Sequence, residues 1–175
     1  MSTDESLMMS AKMGNISSVS TLYERHKVGL YNYFMRRTHS SVQSEDLMQI
    51  VFEKLIRYRQ TYTSEVPFAP WLYRIAYNAH NDLYKKEPLS LPGDETINKL
   101  RSECEEIETG IEEKKMRLHK ALKQLSNEQR HLFVMTRYQQ MPYAEVALTL
   151  GCTEGAVKVK VHRAMKSLKQ LVFNQ

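Results

Sequence analysis

The stretch that decides the fold is PYAEVALTLGCTEGAVKVKVHRAMKSL, Pro142 to Leu168. Pro142 suits a first helical turn, where its missing N–H leaves no bond unmade and its φ is already helical. Ala144, Ala147 and Leu148 then share one face at i, i+3, i+4 spacing. Gly151 follows them, at the place where a helix that ends in the left-handed conformation needs a residue without Cβ. Thr153 offers an N-cap oxygen to a second helix, and Glu154 puts a negative charge in its first turn. On that second helix Val157, Val161, Ala164 and Leu168 form one apolar stripe, with Met165 at its edge. Lys158, Val159, His162, Arg163, Lys166 and Lys169 fall on the opposite side, and no Asp or Glu occurs from Gly155 to Gln175. A basic face alone is ordinarily a solvated one. Here the turn glycine, the small Ala147 and the one-sided charge occur together, which is the pattern of a helix-turn-helix that lays its second helix in the DNA major groove.

Working back toward the N-terminus, Leu118, Leu122 and Leu125, with Met116, predict a helix from Lys114 to about Leu125. Ser126 to Gln129 has the S-x-x-Q form of a capping box, and Leu132, Phe133, Met135 and Tyr138 carry the apolar pattern into the next helix. The residues from 114 to 175 thus read as a small four-helix domain. The segment before it, residues 87–113, holds 2 basic and 9 acidic side chains, begins with Pro, Ser and Gly, and reads as a flexible linker. Charge is strongly segregated along the chain: net +3 over residues 1–86, −7 over 87–113 and +9 over 114–175.

The first block is also helical. Residues 1–16 are small and polar and read as a frayed tail or a first helical turn. Val19, Leu22, Tyr23, Leu30, Tyr33 and Phe34 recur at helical spacing, and two helices meeting near Gly29 or one bent helix would fit. Ser44 followed by Glu45 and Asp46 marks a helix start, and Leu47, Val51 and Leu55 make its buried stripe, with Ile50 and Tyr58 one step round. Residues 60–70, QTYTSEVPFAP, form a loop of unusual length. Helical periodicity returns from Trp71 to Lys86, where Arg74, Asn78, Asn81, Lys85 and Lys86 share the polar side with interleaved Tyr73, Tyr77 and Tyr84. Aromatic rings mixed with cations suit single-stranded nucleic acid, because bases stack on rings while cations follow the backbone. The same rings could equally fill a core, and for Phe68 and Trp71 both roles stand open.

Composition excludes other classes. No apolar segment approaches the roughly 18 residues that read as a transmembrane helix, and the polar start lacks the pattern of a signal peptide, so a cytoplasmic protein is expected. The 2 cysteines, Cys104 and Cys152, read as free thiols, and the 6 histidines make neither an H-E-x-x-H pair nor another ligand spacing. No cofactor, metal or catalytic set is expected.

In their order these motifs resemble the extracytoplasmic-function sigma factors, members of the sigma-70 family that carry regions two and four only. The likeness rests on SEDLMQIVFEKL with PFAPWLYRIAYNAHNDL, and on LSNEQRHLFVM with MPYAEVALTLGCTEGAVKVKVHRAM. It implies an all-α chain of two small helical domains: a tail at 1–16, region two at 17–86, an acidic linker at 87–113 and region four at 114–175. It further implies a protein that is not an enzyme but binds core RNA polymerase, directs it to promoters and helps open them. Asp46, Leu47, Gln49 and Phe52 match the polymerase-docking helix. Phe68, Trp71, Tyr77, Asn78, Lys85 and Lys86 match the part that holds the unpaired downstream promoter element, with the loop before Trp71 forming a pocket for a flipped base. Lys158, Val159, Lys160, His162, Arg163 and Lys166 match the reader of the duplex upstream element. Two departures stand out. Ile50 replaces a glutamate, and the usual T-V-K-S-R pattern is Ala156-Val157-Lys158-Val159-Lys160, without the hydroxyl and without arginine's planar fork for guanine. The likeness also implies an anti-sigma partner. A helix-turn-helix regulator that binds duplex DNA alone is the alternative, but it would leave the Trp71–Lys86 helix without a role.

Overall fold

A computed structural model of the chain describes residues 2–86 and 109–173. The helices are α1 (Asp4–Lys12), α2 (Ser17–Thr38), α3 (Ser41–Tyr58) with a 3-10 turn at Arg59–Thr61, α4 (Phe68–Lys86), α5 (Thr109–Gln124), α6 (Asn127–Phe133) running into a π turn at Val134–Tyr138, α7 (Tyr143–Leu150) and α8 (Glu154–Phe173). No strand occurs among the described residues. Most of the expected linker, residues 87–108, lies outside them; its last five residues, 109–113, already belong to α5.

The polar start is a helix rather than a tail. Thr3 caps it by accepting from the Ser6 N–H at 3.2 Å, and Met8 and Ala11 are fully buried. Gly29 does not break α2, which runs unbroken to His39, a residue in the left-handed conformation with φ 56°. The third helix therefore begins earlier than Ser44. Ser40 is its N-cap and accepts from the Gln43 N–H at 3.3 Å, while Ser44 turns inward and donates to the Ser40 carbonyl at 2.6 Å. Leu47, Val51 and Leu55 are buried as expected; Tyr58 is exposed.

In the second block the capping box at Ser126 and Gln129 closes on both sides, at 3.2 and 3.1 Å. Gly151 takes φ 65° and ends α7, and the Thr153 hydroxyl accepts from the Ala156 N–H at 3.2 Å to start α8. Val157, Val161, Ala164 and Leu168 are all buried. Pro142 stands one step outside α7, with ψ 147°. The buried face of α7 differs from the expected one. Val146, Ala147 and Thr149 are inside, whereas Ala144 and Leu148 are exposed. The cause is that α7 packs on two neighbours at once, α8 behind it and α4 across the molecule. Met116 and Tyr138, expected in the core, are also exposed.

One apolar core runs from Met8 in α1 through α2, α3 and α4 to Leu132, Val146 and Val161 of the second block. A smaller cluster of Ala121, Leu122, Leu125 and Leu168 holds α5 to α8. Each fully buried Leu or Phe is worth about 1.5–3 kcal/mol relative to exposure, so the shared core ties the two blocks together by far more than surface charge does.

Candidate nucleic-acid interface

The basic face of α8 is formed as its periodicity requires. Lys158, Val159, His162, Arg163 and Lys166 are exposed together, and Val159 is an apolar group 50% open to solvent among cations. Lys158 pairs with Glu154 one turn back at 2.9 Å, an exposed contact that a phosphate can replace. Lys160 is different. Its ammonium reaches sideways to Glu128 at the start of α6, at 2.5 Å, and that bond raises its pKa. The helix thus brings five of the six expected upstream residues onto one face and turns Lys160 to its edge.

The candidate downstream site lies on α4 and the loop at residues 62–67. Phe68 is fully buried, with its ring centroid 5.2 Å from His26 and 6.2 Å from Tyr62, so it is a core residue that shapes the loop. Trp71 is partly exposed, edge-on to Tyr62 at 5.1 Å. Asn78 is exposed. Tyr77 is half-buried with its ring 4.3 Å from that of His131 in α6. Lys85 and Lys86 belong to the last turn of α4, and their side chains lie outside the described residues.

That Tyr77–His131 contact belongs to a seam between the two blocks. Arg37 donates to the Tyr33 hydroxyl at 2.8 Å and to His80 Nδ1 at 2.9 Å. Tyr33 Oη, which accepts from Arg37, is also hydrogen-bonded to His131 Nδ1 at 2.7 Å. His131 is neutral in this setting. Burial first, then the Arg37 charge, hold its pKa well below the ordinary histidine value; burial likewise pushes Tyr33 up to about 12. Gln139 spans the seam too. It accepts from Tyr73 Oη at 2.8 Å and donates to the Gly29 carbonyl at 3.2 Å. Glycine at 29 suits this approach, since a Cβ there would stand 3.2 Å from Tyr73 Oη. The π turn, closed by Gln139 N–H on the Val134 carbonyl, directs Gln139 this way. Arg130 donates to the Arg37 carbonyl at 3.2 Å, and Thr149 to the Pro70 carbonyl at 3.3 Å. Tyr33, Tyr73 and Tyr77 stand out in the sequence, but their seam partners His131 and Gln139 do not, because each lies many positions away.

On the other side of the first block, Asp46 and Gln49 are exposed on α3. Leu47 is buried at 1% exposure, and Phe52 is nearly so, edge-on to Tyr23 at 4.9 Å. Tyr23, Val28, Tyr31, Met48 and Gln49 line an open groove between α2 and α3. Of the four residues expected to dock on polymerase, two are thus presented and two support them from within.

Known proteins share the fold and its sequence pattern. The Sigma-70 region 2 family matches residues 22–88, and the Sigma-70, region 4 family matches residues 115–168. The chain is 24% identical to the RNA polymerase sigma factor YlaC of Bacillus subtilis, over 90% of this chain and 94% of that one. It is 26% identical to the ECF RNA polymerase sigma factor SigL of Mycobacterium tuberculosis, over 85% of each. Among solved structures it is similar in fold to CnrH in complex with the cytosolic domain of CnrY, with a TM-score of 0.73, 24% identity and coverage of 97% and 96%. It is also similar in fold to RpoE of Bartonella quintana in complex with the anti-sigma factor NepR, with a TM-score of 0.64, 18% identity and coverage of 87% and 95%.

Proposed function

Because the chain belongs to the extracytoplasmic-function group of the sigma-70 family of RNA polymerase sigma factors, we propose a division of its work among named surfaces. As a sigma factor the protein binds core RNA polymerase and directs transcription initiation at specific promoters, including their opening. We assign region two to residues 17–86 and region four to 114–175, with 87–113 connecting them. Asp46 and Gln49, with the groove between α2 and α3, meet polymerase, and Leu47 and Phe52 set the shape of that surface from beneath. Trp71, Tyr77 and Asn78, with Lys85 and Lys86, hold the unpaired downstream element over the loop that Phe68 shapes. Lys158, Val159, His162, Arg163 and Lys166 face the duplex upstream element, and Lys160 approaches it from the edge. Melting fits this arrangement because polymerase and duplex contacts offset the few kcal/mol that unstacking a base costs.

The observation that carries the reading is that one chain offers both kinds of DNA surface. A basic helix face suits a duplex groove, and a face of rings and an amide suits unstacked bases. A duplex-only regulator needs the first and has no use for the second. The role is that of an initiation factor rather than an enzyme, and its place of action is the cytoplasm, where promoters are. By analogy with the complex of RpoE with NepR, an anti-sigma protein is the partner that would hold this chain inactive. The test is co-elution of the purified chain with bacterial core RNA polymerase on gel filtration, at salt high enough to screen bare charge attraction. A stable complex is expected. Binding to duplex DNA without binding to polymerase would replace this reading with the regulator.

A further inference from the structure

Helix α1 lies outside both matched family segments, which begin at residues 22 and 115. It is nonetheless built into the molecule at both of its ends. Asp4 binds Arg25 at 2.6 Å and His26 at 2.6 Å, both on α2, and Met8 and Ala11 are fully buried. From this anchored position two polar side chains reach the ends of one loop. Glu5 Oε1 accepts from the Phe68 N–H at 3.0 Å, the first amide of α4, which has no partner within its own helix. The bond to Phe68, with the amide of Glu5 itself, holds the Glu5 carboxyl below its usual range. Lys12 Nζ donates to the Tyr62 carbonyl at 2.7 Å, and Gln60 Nε2 returns a bond to the Lys12 carbonyl at 3.0 Å. Between these two fixed points the loop at 62–67 has two internal bonds, Tyr62 Oη donating to the Val66 carbonyl at 2.9 Å and the Val66 N–H to the Thr63 carbonyl at 3.2 Å.

We propose that α1 is a positioning element for promoter opening: Lys12 fixes the entrance and Glu5 the exit of the loop at 62–67, so that the pocket for an unpaired promoter base is preset. This rests on the assignment of that loop to the downstream element. Ordering a loop costs conformational entropy, and two clamps made in the free protein remove part of that cost from DNA binding. Glu5 and Lys12 need touch no base to do this. A helix that merely filled the core would require Met8 and Ala11 but not this pair, which spans the loop at its two ends.

The experiment uses holoenzyme formed with core polymerase on a promoter selected from random sequence. The readouts are permanganate reactivity of thymines in the downstream element, polymerase affinity, and binding of the upstream duplex. For the double variant Glu5→Ala, Lys12→Met we expect about a tenfold loss of melting, of the order that two lost clamps would return to loop ordering, with the other two readouts at wild-type level. Glu5→Gln keeps the acceptor and should recover most of the loss in the presence of Lys12. Wild-type melting in the double variant overturns the proposal, and so does a parallel fall in all three readouts, which would make α1 a general scaffold. If Trp71→Ala and Asn78→Ala also leave melting unchanged, it is the loop assignment that has failed, and the role of α1 falls with it.

Discussion

The two surfaces proposed to read DNA stand in different states. The face of α8 is open, carries Lys158, Val159, His162, Arg163 and Lys166 toward solvent, and requires no rearrangement to enter a groove. The face of α4 is partly spoken for: Tyr77 lies 4.3 Å from the His131 ring, Tyr73 is bonded to Gln139, and the Pro70 carbonyl accepts from Thr149. These three partners, His131, Gln139 and Thr149, all come from the block that also carries α8. If Tyr77 stacks on a base as proposed, the ring face now against His131 has to be freed, and downstream binding would then compete with the seam while upstream binding would not. A surface that must first be uncovered binds with an affinity reduced by the fraction of molecules that are open.

The sharpest way to break this contrast is on α8. Arg163→Ala combined with Lys166→Ala should lower upstream duplex binding about 10- to 100-fold, the range for losing a base-edge contact worth about 1–3 kcal/mol together with a phosphate contact. Binding of a single-stranded downstream oligonucleotide should be unchanged. A fall in both, measured by fluorescence polarisation at fixed salt, would mean that the two surfaces are one.

Acid should act on the seam next most strongly. His131 is held neutral by burial and by Arg37, so its pKa in the closed form is depressed; once exposed it would titrate near about 6.5. A depressed histidine pKa leaves the closed form at full stability above that value. As pH falls below it, the open form takes up a proton that the closed form refuses, and closure weakens by about 1.4 kcal/mol, or tenfold, per pH unit. The groups facing His131 are Tyr33 and Arg37 from α2 and Tyr77 from α4; His80, also on α4, acts on it as a further like charge when protonated. Closure of the two blocks in the free protein, read with distance labels between pH 7.5 and 5.5, should weaken below about 6.5. A constant distance over that range would show that His131 does not govern closure.

How far the sequence foretold these states follows the same division. The stripe Val157, Val161, Ala164, Leu168, the turn at Gly151 and the capping box at Ser126 are local, set by spacing along one helix or across one turn, and all were legible. The basic face of α8 is the complement of that stripe and was legible with it. The buried face of α7 was misjudged because packing on α4 rotates the requirement toward Val146 and Thr149, which no periodicity within eight residues encodes. Helix α1 was missed because only Met8 and Ala11 are fully buried and its other ties, Asp4 to Arg25 and Glu5 to Phe68, join residues at least 21 positions apart. Within the candidate site, Asn78 and Trp71 stand at the surface, whereas Phe68 and Leu47 proved to be core, since a motif match says which positions matter but not whether they act by contact or by support.

The smallest of these effects tests the seam without touching region two. Gln139→Ala removes the acceptor of Tyr73 Oη and the donor to the Gly29 carbonyl, both of which lie across the seam. In the closed form Tyr73, which is 95% buried, is then left without that partner; in the open form water can serve it. The penalty of about 1–3 kcal/mol for an unsatisfied buried group therefore falls mainly on closure, discounted because the Gly29 carbonyl retains access to its helix bond. Downstream oligonucleotide binding by the free protein should tighten severalfold, while upstream binding and polymerase affinity hold. Weaker downstream binding would instead make Gln139 part of the DNA surface, and the contrast between an open face and a covered one would have to be redrawn.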